Sequence, residues 1–322
     1  MHPEDIATLR ADLPEALDFT YYADRESAWL LKSLMPDCAL VRALRAMACG
    51  KLLDRPLVKP LISASGGTVG RADIAALAEA GRLGDFAALP APVLRALEGI
   101  YDQPWLDFEL SFDAWTHPDW HWAQLSRPGG NLVVQLGFPG EHAALLARYL
   151  PPGDRTKFEY HGHPVRRTGR PTLAWARLDI DLKSRTALIE EVQSDWLRFV
   201  RREVRLLQAR GPRSHQLAAT QAYEAALTRR YDKLWSRALL LAVLMLLRDR
   251  LGVRDIFLHQ PEPGVLLKHI SGAHPPRSLY TALPKAFCFA PTRETPDFLL
   301  RKRRKDLRKL PRDAPLFWRL TF

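Results

Sequence analysis

Cysteine is almost missing from this chain: Cys38, Cys49 and Cys288 are the only three among 322 residues. Their number is odd and none stands in a Cys-x-x-Cys pair. That argues against a disulfide framework and a thiolate zinc site, and it suits a reducing compartment. Long apolar runs are missing too. The longest, Ala238 to Leu247, lies between Arg237 and Arg248 and falls well short of the ~20 residues that cross a bilayer, so it reads as a buried helix. The N-terminal MHPEDIATLR has no basic segment followed by an apolar one, so no secretory signal is expected and a cytoplasmic location is. Nor is there a phosphate-loop signature. Gly66-Gly67-Thr68-Val69-Gly70 is followed by neither Lys-Ser/Thr nor a dinucleotide fingerprint, and it reads as an inter-helix turn.

What is present is apolar bulk and an uneven charge. A hydrophobic fraction of 47% with nine Trp excludes a disordered chain. Residues 1–150 hold 13 basic and 19 acidic side chains, a net of −6, while residues 151–322 carry +17, which together give the overall +11. A basic second half calls for an anionic partner or substrate, nucleic acid among them, and a solvated face is the plain alternative. The arginines of interest are Arg198, Arg201 and Arg202, and Arg301, Arg303 and Arg304 of the run RKRRKDLRK (301–309), which reads as a hairpin loop. No membrane contact is expected.

Residues 1–125 read as a helical N-terminal region, with three- and four-residue apolar spacing punctuated by Pro and Gly. The aromatic stretch YDQPWLDFELSFDAWTHPDWHW (101–122) reads as a segment that closes this region or packs against the next. Residues 126–322 read as a basic α/β domain, giving an α+β chain with a mixed sheet behind an all-α region. Strands are expected at Asn131 to Leu136, 172–181, 186–195, 253–260 and 316–322. The five-residue link LKSRT joins the second and third as an antiparallel hairpin. Helices are expected at Glu141 to Tyr149, Trp196 to Arg210 and His215 to Arg250.

Chemistry concentrates in Leu188-Ile-Glu-Glu-Val-Gln-Ser-Asp195. Alternation along a strand puts Glu191, Gln193 and Asp195 on one face and Glu190, Val192 and Ser194 on the other. Three carboxylates in six residues of a central-looking strand are costly unless they bind something or face water. Glu191 is a candidate general base toward an amine or hydroxyl, with Glu190, Gln193 and Asp195 beside it. Alternatively, Asp179 or Asp181 on the neighbouring strand joins Glu191 around a divalent cation such as Mg²⁺, the layout of a restriction-endonuclease-like nuclease. Ser194 lacks a Gly-x-Ser-x-Gly elbow and is no nucleophile. Five histidines (His117, His121, His142, His161, His163) fall within 47 residues. Metal spacing exists in His117-x-Asp119-x-His121 and His161-x-His163, but the simpler role is His161 or His163 assisting the carboxylate strand. His259 and Gln260 close the strand after the long helix, where α/β sheets gather ligands. Tyr280, Lys285 and Trp196 complete the expected substrate-binding set.

Two resemblances attach to these residues. LAWARLDID…ALIEEVQSDW, then KLWSRALLLAVLMLLRDRLGVRDIFLHQ and YTALPK, resembles a domain of very large polyvalent proteins of phages and mobile elements. It covers roughly 130–290 and is sharpest at EEVQSD. That resemblance implies a shared site without naming a reaction. The order of hairpin, long helix ending in Gly, strand and final hairpin is similar to the GNAT acyltransferase layout, which implies an acyl-CoA donor and a strand carboxylate such as Glu191 as base. The Arg/Gln-x-x-Gly-x-Gly loop that grips the CoA pyrophosphate in that family is replaced here by ALTRRYDKLW. The leading expectation is therefore a GNAT-like transferase acting on an amine or hydroxyl. A metal-dependent nuclease and a non-enzymatic nucleic-acid-binding protein are the alternatives.

Overall fold

A computed structural model describes residues 1–80, 89–99, 105–119, 122–151, 156–166, 168–211, 215–270, 276–310 and 312–322. The side chains of His215, Lys302, Arg303 and Arg304 lie outside the description, as does His121. The chain divides into two compact units: Met1–Phe19 with Phe108–Pro284 and Phe289–Thr321, and Thr20–Asp107 with Lys285–Cys288 and Phe322. The division after Asp107 lies upstream of the expected boundary at 125.

In chain order the N-terminal region forms α1 (Pro3–Asp12), β1 (Ala16–Tyr21), α2 (Arg25–Leu34), β2 (Cys38–Leu40), α3 (Val41–Arg45), α4 (Lys59–Ala64), β3 (Thr68–Gly70), α5 (Arg71–Glu79) and α6 (Ala91–Glu98). It is mainly helical, with a two-stranded β2–β3 ribbon. Gly66 and Gly67 make the turn before β3 with φ of 61° and 92°, a backbone that glycine adopts without strain. The aromatic stretch supplies a strand, β4 (Leu106–Thr116). Leu106, Phe108, Leu110 and Phe112 are buried at every second position, as a strand with one face on the core requires.

Next come β5 (Gly130–Gly137), α7 (His142–Tyr149), β6 (Thr172–Asp181), β7 (Thr186–Gln193), α8 (Asp195–Arg210), α9 (His215–Leu227), α10 (Trp235–Met245), β8 (Asp255–His259), α11 (Pro261–Leu267), α12 (Ala282–Ala286), β9 (Ala290–Thr292), α13 (Asp297–Leu307) and β10 (Phe317–Thr321). The eight-stranded sheet runs β1-β4-β5-β6-β7-β8-β10-β9. From β4 to β7 neighbours are antiparallel, β7 and β8 are parallel, and β10 returns antiparallel to β8. A parallel neighbour needs a crossover, and the helices between β7 and β8 provide it. α10 packs on β6 and β7, and α8 on β6. With these helices on β6 and α1 on β5, both strands are buried along nearly their whole length.

The long expected helix is interrupted. Five-residue π turns occupy Thr228–Asp232 and Leu246–Arg250, and Gly252 ends the second with φ 66°. The basic run, expected as a loop, begins inside α13, whose Phe298, Leu299 and Leu307 join a buried cluster with Leu188 and Phe257. Among the described residues, no helix is long and apolar enough to cross a membrane.

Candidate active site

β7 and β8 pair only from Thr186↔Asp255 to Ile189↔Leu258. On its other side β7 carries a bulge: Leu178 faces Ile189 and Arg177 faces Glu191, leaving Glu190 as the extra residue. Bulges bend a strand and re-aim its side chains. Beyond Ile189, side chains take the place of a strand. Lys268 Nζ donates to the Glu190 carbonyl at 3.0 Å, and Val192 N–H donates to the Tyr280 hydroxyl at 3.4 Å.

The two glutamates part company here. Glu190 is sealed in the core and accepts from Ser126 N–H at 3.2 Å, Ser126 Oγ at 2.6 Å and His259 Nε2 at 3.0 Å. Burial holds the His259 imidazole below its ordinary pKa and hence neutral. Its buried Nδ1 has no partner, and a bare lone pair there costs less than a bare charged N–H. Burial pushes the Glu190 carboxyl up, but these donors and nearby Lys268 outweigh it and keep the group ionised. Ser126, His259 and Glu190 are at most 1% exposed, so this cluster is structural rather than substrate-facing.

Glu191 is held by the Arg177 guanidinium, and Lys268 Nζ lies 3.7 Å from it. Arg177 also donates to the carbonyls of Ala123 at 2.6 Å and Gln124 at 3.1 Å, and lies 5.4 Å over the Trp115 ring. Burial raises the Glu191 carboxyl, but Lys268 and Arg177 overcome this and leave it below the ordinary range. A carboxylate pinned by two cations is a poor proton acceptor, and this counts against Glu191 as general base.

Asp195 opens α8 just after Ser194, where the helix dipole favours an anion. It accepts from His163 Nδ1 at 2.8 Å, Trp175 Nε1 at 2.8 Å and Gln193 Nε2 at 2.6 Å, and pairs with Arg198. Burial would raise its carboxyl, yet His163, Trp175 and Arg198 hold it below the usual carboxylate range. The Gln193 amide nitrogen also lies 3.1 Å from His163 Nδ1. Because the Asp195 carboxylate can only accept, the proton that joins the pair sits on Nδ1. The neutral ring then has its lone pair on Nε2, which has no hydrogen-bond partner among the described residues. Trp115, Tyr160 and Trp175 surround the imidazole edge-on at 6.4, 4.6 and 5.2 Å between ring centres. His163, Glu191 and Gln193 line one cavity of ≈ 550 Å³, within the size range of small-molecule sites.

Other expected residues fall elsewhere. His161 is exposed, and the His117 ring accepts from Asp119 N–H at 2.9 Å, closing its own turn. Trp196 is core rather than substrate-binding: it donates to Tyr223 at 2.8 Å and packs on Phe138. Gln260 caps α11. Lys285 belongs to the other unit, where its carbonyl accepts from Lys51. The Mg²⁺ set is not assembled. Asp179 binds Arg127 at 2.6 and 2.7 Å. Asp181 caps the hairpin turn opposite Thr186, whereas Glu191 faces Arg177. Among the described residues, no three His, Cys, Asp or Glu side chains are grouped to hold a metal. An acyl-CoA donor does not fit either. The gap between β7 and β8 is closed by Lys268 and Tyr280, and Leu234, which precedes α10, offers no side-chain cap and no glycine loop.

Sequence reasoning missed Arg177, Lys268 and Ser126. An arginine inside the apolar strand LAWARLDID was a signal for the first, because such a charge needs a buried partner. Lys268 and Ser126 stand in stretches without pattern. No family model, curated protein or solved structure matches this chain, so the chemistry of the site itself is what points to a function.

Proposed function

We propose that this chain is a group-transfer enzyme acting on an amine or hydroxyl, with His163 as general base and Asp195 as the group that orients it. The observation that carries this is the 2.8 Å Asp195–His163 contact, which leaves Nε2 as the basic nitrogen of a cavity-lining ring. A carboxylate that fixes the imidazole tautomer and steadies the imidazolium is the general design of such dyads. Glu191 takes a different part from the one its sequence position suggests. Its Oε2 is occupied by Arg177 and Lys268, and Oε1 accepts a hydrogen bond from the substrate N–H or O–H, positioning it while His163 removes the proton.

The test is conversion of small molecules in a cell extract by the purified full chain, followed by mass spectrometry. Wild type converts a substrate; His163→Ala lowers the rate about 10²–10⁴-fold, the usual worth of a positioned acid–base group, and Asp195→Asn lowers it by a comparable factor. Conversion that is unchanged in His163→Ala, or none by the wild type, overturns the proposal.

A further inference from the structure

One wall of the same cavity is the basic face of α8. Arg198, Arg201 and Arg205 line it, spaced by three and four residues and so stacked along one side of the helix. Trp196, Leu197, Val200, Val204 and Leu207 of α8 are buried, so this arginine row flanks the core-facing stripe. Two of the three guanidinium groups meet one acid each: Arg198 meets Asp195 and Arg201 meets Asp232. Arg205 is exposed and has no hydrogen bond or ion pair among the described residues. The acid in the lining, Glu191, is already neutralised by Arg177 and Lys268. The cavity thus holds uncompensated positive charge beside an acid–base group.

We infer that the substrate of this cavity carries a phosphate group or diphosphate, gripped by Arg198, Arg201 and Arg205, which places its hydroxyl or amine beside His163. Guanidinium groups bind phosphate oxygens through paired N–H donors, and several on one wall select a multiply charged anion over a single carboxylate. Leu197, Trp235 and Leu279 supply an apolar wall, and the ≈ 550 Å³ volume admits an organic body as well as the anion. The inference rests on the acid–base reading for the chemical step, but binding itself needs no turnover.

Isothermal titration of the full chain at low salt uses five probes: pyrophosphate, adenosine 5′-monophosphate, glucose 6-phosphate, uncharged adenosine and a 20-nucleotide single strand. Pyrophosphate and at least one phosphomonoester bind, and which one separates a nucleotide from a sugar phosphate as the source. Adenosine binds at least 10-fold more weakly than its phosphate. Arg205→Ala weakens pyrophosphate about 10-fold, and Arg201→Ala with Arg205→Ala abolishes it. Arg202→Ala, on the same helix but outside the cavity lining, changes nothing. These positions are exposed or half-exposed, so circular dichroism serves to show that the variants remain folded. Absence of pyrophosphate binding, binding indifferent to the double variant, or binding only of a 20-nucleotide single strand overturns the inference. His163→Ala retains phosphate binding. Loss of conversion there with binding intact supports both readings, whereas His163-dependent conversion without phosphate binding removes the anion grip alone.

Discussion

His142 shows how far a histidine's surroundings outweigh its sequence neighbours. It is one of the five histidines within 47 residues, in the helix expected at Glu141 to Tyr149, and it is 1% exposed, stacks on Phe138 at 3.5 Å and shares a 3.2 Å hydrogen bond with the Tyr223 hydroxyl. Burial first, and Arg230 second, pull its pKa down to about 3. A histidine with a depressed folded pKa is protonated in the unfolded chain before it is in the folded one. Its contribution to stability is therefore complete above pH 6.5 and is lost as pH falls below that value. Each pH unit costs about 1.4 kcal/mol for such a group, so His142 alone removes about 2 kcal/mol between pH 6.5 and pH 5. His259, shifted the same way, adds to the loss. Urea unfolding at several pH values is expected to show this slope, and His142→Gln to flatten it. An identical pH dependence in the variant would falsify the assignment.

At the scale of elements, the strand carrying the site was legible and its distortion was not. Alternation groups Glu191 with Gln193, which both line the cavity, and sets Glu190 apart, because period two is a property of the chain alone; Ser194, expected on the other face, lines the cavity as well. The bulge opposite Arg177 and Leu178 depends on the neighbouring strand, and the cations that disable Glu191 as a base come from β6 and from just beyond α11. The strand β4 was visible as alternating Leu and Phe, but its aromatic content drew it toward a packing role instead. A close approach was equally hidden. Gly264 of α11 lies against β8, where an added Cβ would meet His259 Cβ at 2.9 Å and Cγ at 3.2 Å. In an ordinary helix, glycine to alanine gains about 0.5–1 kcal/mol. Here the sign reverses: the obstructing atom is next to the strand backbone and cannot swing away, so Gly264→Ala is expected to cost about 1–3 kcal/mol, the usual penalty of overpacking. Denaturant midpoints of the two proteins decide it, and a stabilised variant would show that α11 can retreat from His259.

At the scale of the molecule, the charge split at residue 150 marks no structural division; what defines the larger unit is sheet pairing. Cutting the chain at the boundary expected from sequence, between 125 and 126, removes β4 from its register with β5, which runs from Glu109↔Gly137 to Thr116↔Gly130. β5 is buried along its whole length, so the cut leaves a row of unpaired backbone groups along an apolar strand, the arrangement that templates aggregation. Each lost contact of a Leu or Phe from β4 forfeits about 1.5–3 kcal/mol of burial, against a typical total stability of only about 5–15 kcal/mol. The cut also removes the Ala123 and Gln124 carbonyls that Arg177 donates to, leaving a buried guanidinium under-bonded beside Glu191. A fragment of residues 126–322 is therefore expected to aggregate, or to lack the cooperative unfolding of the full chain. Size-exclusion chromatography and thermal circular dichroism of both proteins test this. A monomeric fragment that melts cooperatively at the temperature of the intact chain would mean that β4 is dispensable to the sheet that carries His163, Glu191 and Asp195.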